Sequence, residues 1–195
     1  MRKLFPLFAV VVAASAWLGG PSGVRADLIV NGGFETGDFT GWTLSGNTSD
    51  PTTFGVDTSN PHTGSFAAYF GPQGSEAFLM QTVTTTPGFT YVLDFYLENE
   101  DGTSPNEFSV AFGTTVLADT FNLPTFSYTH MTYTVIATTV STDVKFGFRN
   151  DFAFFDLDDV RLGRVPEPGS LACLAIGVVL AGCHGWRKRL ARPPA

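Results

Sequence analysis

The stretch Phe89-Thr90-Tyr91-Val92-Leu93-Asp94-Phe95-Tyr96-Leu97-Glu98 decides the fold class of this chain. Large apolar side chains occupy every second position from Phe89 to Leu97, and more polar side chains mostly stand between them. Successive side chains of a β-strand point to opposite faces of the sheet, so this alternation predicts a strand with one buried face.

Comparable segments follow one another along residues 27–164, about nine or ten in all at a spacing near a dozen residues. None of them has a helical pattern of useful length. The sequence therefore predicts an all-β fold, an antiparallel β-sandwich. In the last predicted strand, alternation places Asp158 on the core side with Val160 and Leu162. The predicted strands are residues 27–30, 77–84, 89–98, 107–112, 115–118, 126–136, 144–149 and 154–162 and a segment within 61–70.

Residues 1–26 have the order of a secretory signal peptide. Arg2 and Lys3 precede an apolar run from Leu4 to Leu18, and Val24-Arg25-Ala26 has the form of a cleavage site. The mature chain is expected to begin near Asp27. An uncleaved membrane anchor is the alternative, and the short run argues against it.

Residues 165–195 combine an extended linker, an apolar segment and a basic end. Pro166-Glu167-Pro168 keeps the linker extended, because proline disfavours helix at and before its position. Residues 169–186 are predicted to form a transmembrane helix of marginal length, about 27 Å. A basic cluster is expected to hold the end of the chain in the cytoplasm, and its residues are Arg187, Lys188, Arg189 and Arg192.

This tail resembles the PEP-CTERM sorting signal of exported bacterial proteins. The resemblance implies recognition by an exosortase, a membrane-embedded cysteine transpeptidase or protease, and cleavage near the Pro166-Glu167-Pro168 motif. It also implies a bacterium that makes exopolysaccharide or biofilm. The protein is thus expected to be exported, to be held briefly as a single-pass membrane protein, and to end in the cell envelope or extracellular matrix. A plain membrane-anchored surface protein is the alternative.

The domain between these ends resembles the galactose-binding-like jelly rolls, which include carbohydrate-binding modules. The resemblance rests on Asn31-Gly32-Gly33-Phe34-Glu35, on Gly41-Trp42 and on the terminal Asp158-Asp159-Val160-Arg161-Leu162. It implies that Phe34 and Trp42 plug the end of the sandwich.

One structural calcium ion is the cofactor that this resemblance implies, with Glu35 and Asp158 as its predicted ligands. A carboxylate aimed at a core needs a partner or a metal, and calcium prefers several oxygen ligands. Alternatively, the acidic residues of this region face water or pair with Arg149 and Arg161.

Two aromatic side chains are predicted to bind an extracellular polysaccharide, Tyr96 and Tyr133. Both are expected to lie opposite the better-packed faces of their strands, where a tyrosine ring can stack on a sugar. A structural matrix or biofilm protein without a discrete ligand is the alternative.

The charge and the absence of catalytic motifs argue against a nucleic-acid-binding protein and against an enzyme. Residues 27–164 hold 17 acidic residues against four basic ones, a net charge of −13, which disfavours nucleic acid as a partner. Both cysteines, Cys173 and Cys183, lie in the C-terminal apolar segment. The only histidines between the two ends are His62 and His130, and no catalytic motif occurs, so the domain is predicted not to be an enzyme.

Overall fold

A computed structural model describes residues 26–165, which form two antiparallel five-stranded sheets packed face to face. The all-β sandwich predicted from the sequence is confirmed. The strands are β1 (Thr43–Gly46), β2 (Phe54–Asp57), β3 (Ala67–Phe70), β4 (Ala77–Thr84), β5 (Thr90–Asn99), β6 (Asn106–Phe112), β7 (Thr115–Phe121), β8 (Phe126–Ile136), β9 (Ser141–Asn150) and β10 (Phe155–Arg164).

The first sheet has the strand order β1-β4-β9-β6-β7, and the second has the order β2-β3-β10-β5-β8. Strand β10, the last in the chain, therefore lies in the middle of the second sheet, between β3 and β5. The edge strands of the second sheet are the four-residue β2 and the eleven-residue β8.

Aromatic side chains fill the space between the sheets. Phe70 of the second sheet stacks on Phe148 of the first, with ring centroids 4.2 Å apart. Phe95 meets Phe146 edge to face at 5.1 Å. All four rings have no solvent exposure, so the inner side chains of β5 behave as their alternation predicts. Offset and edge-to-face contacts of this kind add to the stabilisation that comes from burial alone.

Phe34 and Trp42, from the motif around Asn31, are both buried in the core. Trp42 is buried, its ring lies 5.9 Å from that of Phe34, and its indole N–H donates to the backbone oxygen of Asn31 at 3.1 Å. The two side chains are buried as the resemblance implied, and their role in plugging the end of the sandwich stays a prediction. The predicted strand at residues 27–30 is reduced to a single bridge between Asp27 and Gly163.

A β-bulge in β10 overturns one prediction about faces. Asp158 pairs with Tyr96 and Arg161 with Asp94, so an additional residue is inserted on β10 between these pairs. Asp159 has a left-handed φ of 51°, and the N–H of Val160 donates to the oxygen of Gly32 at 2.9 Å. Because the bulge shifts the alternation, Asp158 lies on the outer face of the sheet, not on the core side with Val160 and Leu162.

The sorting features predicted from sequence lie outside the described residues. They are the signal peptide at residues 1–26 (save Ala26), the Pro166-Glu167-Pro168 motif, the apolar segment 169–186 and the basic cluster behind it. Within residues 26–165, no helix has the length and apolarity needed to cross a membrane.

Candidate functional site

The outer face of the second sheet carries a row of paired side chains across four strands. Gly55 of β2 pairs with Tyr69 of β3, Tyr69 pairs with Asp156 of β10, and Asp156 pairs with Glu98 of β5. Paired residues of neighbouring strands share a face, so this row brings an aromatic ring and two carboxylates together. A Cβ atom at Gly55 would collide with the Tyr69 hydroxyl, so glycine lets the ring lie across β2.

The loop of residues 58–66, between β2 and β3, covers the neighbouring part of this face. Its first half is held by Asn60, whose side chain donates to Asp156 Oδ2 at 2.7 Å. Its backbone oxygen accepts from the hydroxyl of Tyr128 at 2.7 Å. Burial and the nearby acidic groups raise the pKa of Tyr128, so the phenol stays protonated and keeps donating.

The second half of the 58–66 loop is held by the two acids at the bulge. Asp158 Oδ2 accepts from the N–H groups of His62 and Thr63, at 2.9 and 3.0 Å. Asp159 Oδ2 lies 2.8 Å from His62 Nδ1, and Thr63 donates its hydroxyl to the same carboxylate at 2.9 Å. Burial raises the pKa of Asp159, yet the hydrogen bonds of His62 and Thr63 and the charge of Arg161 bring it below the ordinary value.

The two predicted calcium ligands both lie against this loop. Glu35 Oε1 accepts from the N–H groups of Ser65 and Phe66, at 2.9 and 3.1 Å. Asp158 is fully buried beneath His62 and Thr63. Glu35 and Asp158 thus contact the same loop, but the described groups whose ligand atoms converge are Asp158, His62 and Asp159, without Glu35. The N–H groups of His62 and Thr63 satisfy the buried carboxylate of Asp158 without a metal, so the burial of Asp158 does not require a metal. The calcium ion stays a prediction.

A half-open pocket of about 380 Å³ lies beside the loop, and we call it the acidic pocket. Three carboxylates, three neutral polar side chains and two aromatic rings form its wall: Asp57, Glu100 and Asp156, then Thr52, Ser59 and Asn60, then Tyr69 and Phe154. The rings of Tyr69 and Phe154 meet edge to face with centroids 5.5 Å apart. Aromatic rings beside hydrogen-bonding groups suit a ligand with an apolar face and a polar rim.

Electrostatic repulsion is concentrated at Asp156, whose exposed fraction is only 4%. Burial raises the pKa of Asp156 to about 7, and the charges of Glu100, Glu98 and Asp57 add to this effect against the hydrogen bond from Asn60. Burial, together with Glu98 and Asp57, also raises the pKa of Glu100. Asp156 and Glu100 therefore give up their protons reluctantly, chiefly because they are buried and also because other carboxylates lie nearby.

The two tyrosines predicted to bind a ligand do not share a face. Tyr96 lies on the outer face, where its ring stacks between His62, with centroids 3.6 Å apart, and His130, at 4.8 Å. Tyr133 lies on the core side, half-buried, with its ring 6.1 Å from that of Phe95. The expected orientation is wrong for Tyr133. Tyr133 pairs with the buried Leu93 on the neighbouring strand, and paired residues share a face of the sheet.

Sequence reasoning missed most of the acidic pocket. Asp156 lies two residues before Asp158 in the last strand, but its neighbours in the pocket come from distant parts of the chain. Asn60 is 96 positions away from Asp156, and only the pairing of β3 with β10 places Tyr69 beside it. A signal was nevertheless present in Tyr69, a large amphipathic ring that interrupts the small and apolar residues of Ala67–Phe70.

Comparison with known proteins supports the fold. No protein-family model and no curated protein matches the sequence. Among solved structures, TmCBM61 in complex with β-1,4-galactotriose aligns with a TM-score of 0.58 and 18% identity over 71% of this chain and 99% of that one. The CBM22-1 xylan-binding domain from Paenibacillus barcinonensis Xyn10C aligns with a TM-score of 0.54 and 13% identity, over 73% of this chain and 97% of that one.

A third similar structure is the K3 cleaved adhesin domain of Lys-gingipain from Porphyromonas gingivalis. It aligns with a TM-score of 0.52 and 18% identity, over 71% of this chain and 98% of that one. At these identities the likeness concerns architecture alone. Residues 26–165 therefore have the fold of a carbohydrate-binding-module-like β-sandwich.

Proposed function

We propose that residues 27–164 form a non-enzymatic carbohydrate-binding domain that takes part of an extracellular polysaccharide into the acidic pocket. The observation that carries this proposal is the composition of the pocket wall. Tyr69 and Phe154 offer ring faces and edges, and Asn60 and Asp156 offer hydrogen-bonding groups next to them. A sugar presents apolar C–H groups on one face and hydroxyls around its edge, so it matches such a wall.

The fold comparison supports this reading and suggests ligands for testing. One similar structure holds β-1,4-galactotriose, and another is a xylan-binding domain. The pocket volume of about 380 Å³ is within the range typical of small-ligand sites, so it suits one or two sugar rings and not a long glycan segment.

Binding to immobilised galactan, to xylan and to the host's own exopolysaccharide tests the proposal. We expect the full-length protein to bind at least one of them, and Tyr69→Ala to weaken that binding about tenfold or more, or about 1.4 kcal/mol. Phe121→Ala is the matched control, because Phe121 is a 61% exposed aromatic residue on the other sheet. Failure to bind all three polysaccharides, together with failure to bind chitosan and chitin oligosaccharides, would overturn the proposal.

We also propose that the chain is exported and sorted through its tail, as the PEP-CTERM resemblance implies, with an exosortase as the membrane partner. The support is the order of the sequence features: Pro166-Glu167-Pro168, the apolar segment 169–186 and the basic cluster. The mass of the mature protein isolated from the host tests this. We expect a C-terminus close to the Pro-Glu-Pro motif, and an intact C-terminal Ala195 would favour a permanent membrane anchor instead.

A structural role in a matrix is a second candidate, and the edge strand β8 favours it. The three other sheet edges are protected, since β1 and β2 have four residues each and β7 carries the carboxylate of Asp119. In contrast, β8 runs for eleven residues without proline, lysine or a carboxylate. An unprotected edge of this kind can pair with another chain, here a second copy.

Sedimentation of the full-length protein over a range of concentrations tests this second candidate. We expect a dimer that dissociates on dilution, and we expect Thr134→Lys to weaken it, because Thr134 is exposed on β8. Thr84→Lys, at an exposed position of the interior strand β4, is the control. A monomer at all concentrations would contradict self-association through β8.

A further inference from the structure

The acidic pocket has negative charge that nothing in its surroundings balances. Asp156 and Glu98 pair directly across neighbouring strands, and Asp57 and Glu100 line the same pocket as Asp156. Like charges at directly opposite positions destabilise a sheet. The unliganded protein accepts three further carboxyl groups beside Asp156, and Asp156 relieves part of the repulsion by keeping its proton up to about pH 7.

The basic side chains of the described part of the chain are all engaged elsewhere. Arg149 forms an ion pair with Asp151 at 2.8 Å, and Arg161 lies 3.2 Å from Asp159. Lys145 and Arg164 lie over aromatic rings, those of Phe78 and Phe89. No ion pair within residues 26–165 involves a carboxylate of the acidic pocket. The missing positive charge is therefore one that a ligand can supply.

A single metal ion does not fit the pocket well. In the described residues, one set of three acidic or histidine groups has its ligand atoms within 4.8 Å of each other. It consists of His62, Asp158 and Asp159, at the second half of the 58–66 loop. Asp57, Glu100 and Asp156 are more widely spread, so their oxygens do not converge on one point as calcium requires. Spread carboxylates instead suit an organic cation.

Aromatic rings complete this environment. Tyr69 and Phe154 line the same pocket as the carboxylates, and the face of an aromatic ring attracts a cation. An ammonium group has three N–H donors and no acceptor, so it can bond to a carboxylate and to neutral oxygens such as those of Ser59 and Asn60 without leaving a donor unused.

We propose that the acidic pocket binds a glycan through a protonated amine, so that its preferred ligand is a polysaccharide containing free amino sugars. This inference rests on the proposed carbohydrate-binding function and specifies its ligand class. The amine lies among Asp57, Glu100 and Asp156, and the sugar ring that carries it stacks on the aromatic wall. N-acetylation removes the positive charge, and a uronic acid brings a further negative charge, so both changes weaken binding.

Titration calorimetry with chitosan pentaose and chitin pentaose tests the proposal, because the two probes differ only in N-acetylation. At a pH at which the amines are protonated, we expect the full-length protein to bind chitosan pentaose at least tenfold more tightly. We also expect this preference to shrink as salt is added, since partly exposed charge pairs are screened. Glu100→Gln and Asp57→Asn should each reduce the preference severalfold, whereas Asp119→Asn on β7 should leave it unchanged.

The outcomes separate this inference from the proposed function. Equal binding of the two probes, or binding of galactan or xylan but of neither probe, would overturn the amine proposal and leave a carbohydrate-binding domain. Absence of binding to all of these glycans and to the host's own exopolysaccharide would overturn both. Binding of chitosan pentaose that Glu100→Gln and Asp57→Asn leave untouched would place the amine elsewhere, and would also overturn the inference.

Discussion

The imidazole of His62 lies flat on the ring of Tyr96, with centroids 3.6 Å apart and an angle of 18° between the ring planes. The same imidazole reaches Asp159 through Nδ1 at 2.8 Å. One side chain therefore connects the 58–66 loop to two strands at once, β5 and β10. The loop that borders the acidic pocket is held by specific contacts and does not simply rest on the sheet.

Replacing His62 by alanine should destabilise the domain by about 1–2 kcal/mol, because the change removes both the stacking contact and the hydrogen bond to Asp159. Urea unfolding measures the effect. His130→Ala is the control, since His130 is half-exposed and lies farther from Tyr96, at 4.8 Å. An equal loss of unfolding free energy in the two variants would mean that the contacts of His62 stabilise the domain no more than those of His130.

The calcium prediction has a direct thermal test. If Glu35 and Asp158 hold a calcium ion, a chelator should lower the midpoint of unfolding of the wild-type protein and should leave Glu35→Gln unchanged. The glutamine keeps an oxygen for the N–H groups of Ser65 and Phe66, so it removes the charge and preserves the hydrogen bonds. An unchanged midpoint in the chelated wild type would remove the metal, and the hydrogen bonds would then account for both carboxylates.

Because of Asp156, the stability of the domain should fall as the pH rises. Its pKa is about 7 in the folded state against 3.8 for an ordinary aspartate, chiefly because of burial. Between these two values the unfolded chain releases a proton that the folded chain keeps, so the stability that Asp156 contributes is present below pH 4 and is lost as the pH rises to about 7.

Asp156→Asn should consequently raise the free energy of unfolding at pH 8 by about 2 kcal/mol and change little at pH 4. The asparagine oxygen still accepts from Asn60, so packing is preserved. Denaturant unfolding at the two pH values measures this. The exposed Asp119→Asn serves as control, and a gain of the same size at pH 4 would show that charge is not the cause.

Gly55 controls the shape of the pocket. A Cβ at this position would collide with the Tyr69 hydroxyl, so Gly55→Ala should displace the ring and weaken glycan binding severalfold, with a smaller effect on stability. Gly33→Ala is the control, because its added Cβ meets nothing closer than 3.7 Å. Calorimetry and thermal unfolding of the two variants separate binding from folding. Undiminished binding by Gly55→Ala would show that the position of Tyr69 is unimportant.

The long strands were predictable because their side chains alternate over many residues. Residues 77–84 and 126–136 were predicted with the bounds of β4 and β8, and the inner face of β5 is the one its alternation indicated. Strands β1 and β2, in contrast, have four residues each, too few for a period of two to stand out.

The site was harder to predict for two physical reasons. A bulge shifts the alternation at Asp159, and the local sequence Asp158-Asp159-Val160 does not indicate that a bulge forms there. The pocket also depends on register: Asp156 and Glu98 are 58 positions apart and become neighbours only when β10 pairs with β5. Register follows from the whole set of pairings and not from any single segment.

The central position of β10 determines how the domain would carry a pull on its C-terminus. Val165 follows β10 directly, and that strand is bonded to β3 on one side and to β5 on the other. Bonds that run across the strand share a load applied along it, so a pull at Val165 acts on many of them at once, whereas a pull on an edge strand has bonds on one side only. A matrix protein tethered through this end would be held by a central strand, which a pull along its axis removes less easily than an edge strand.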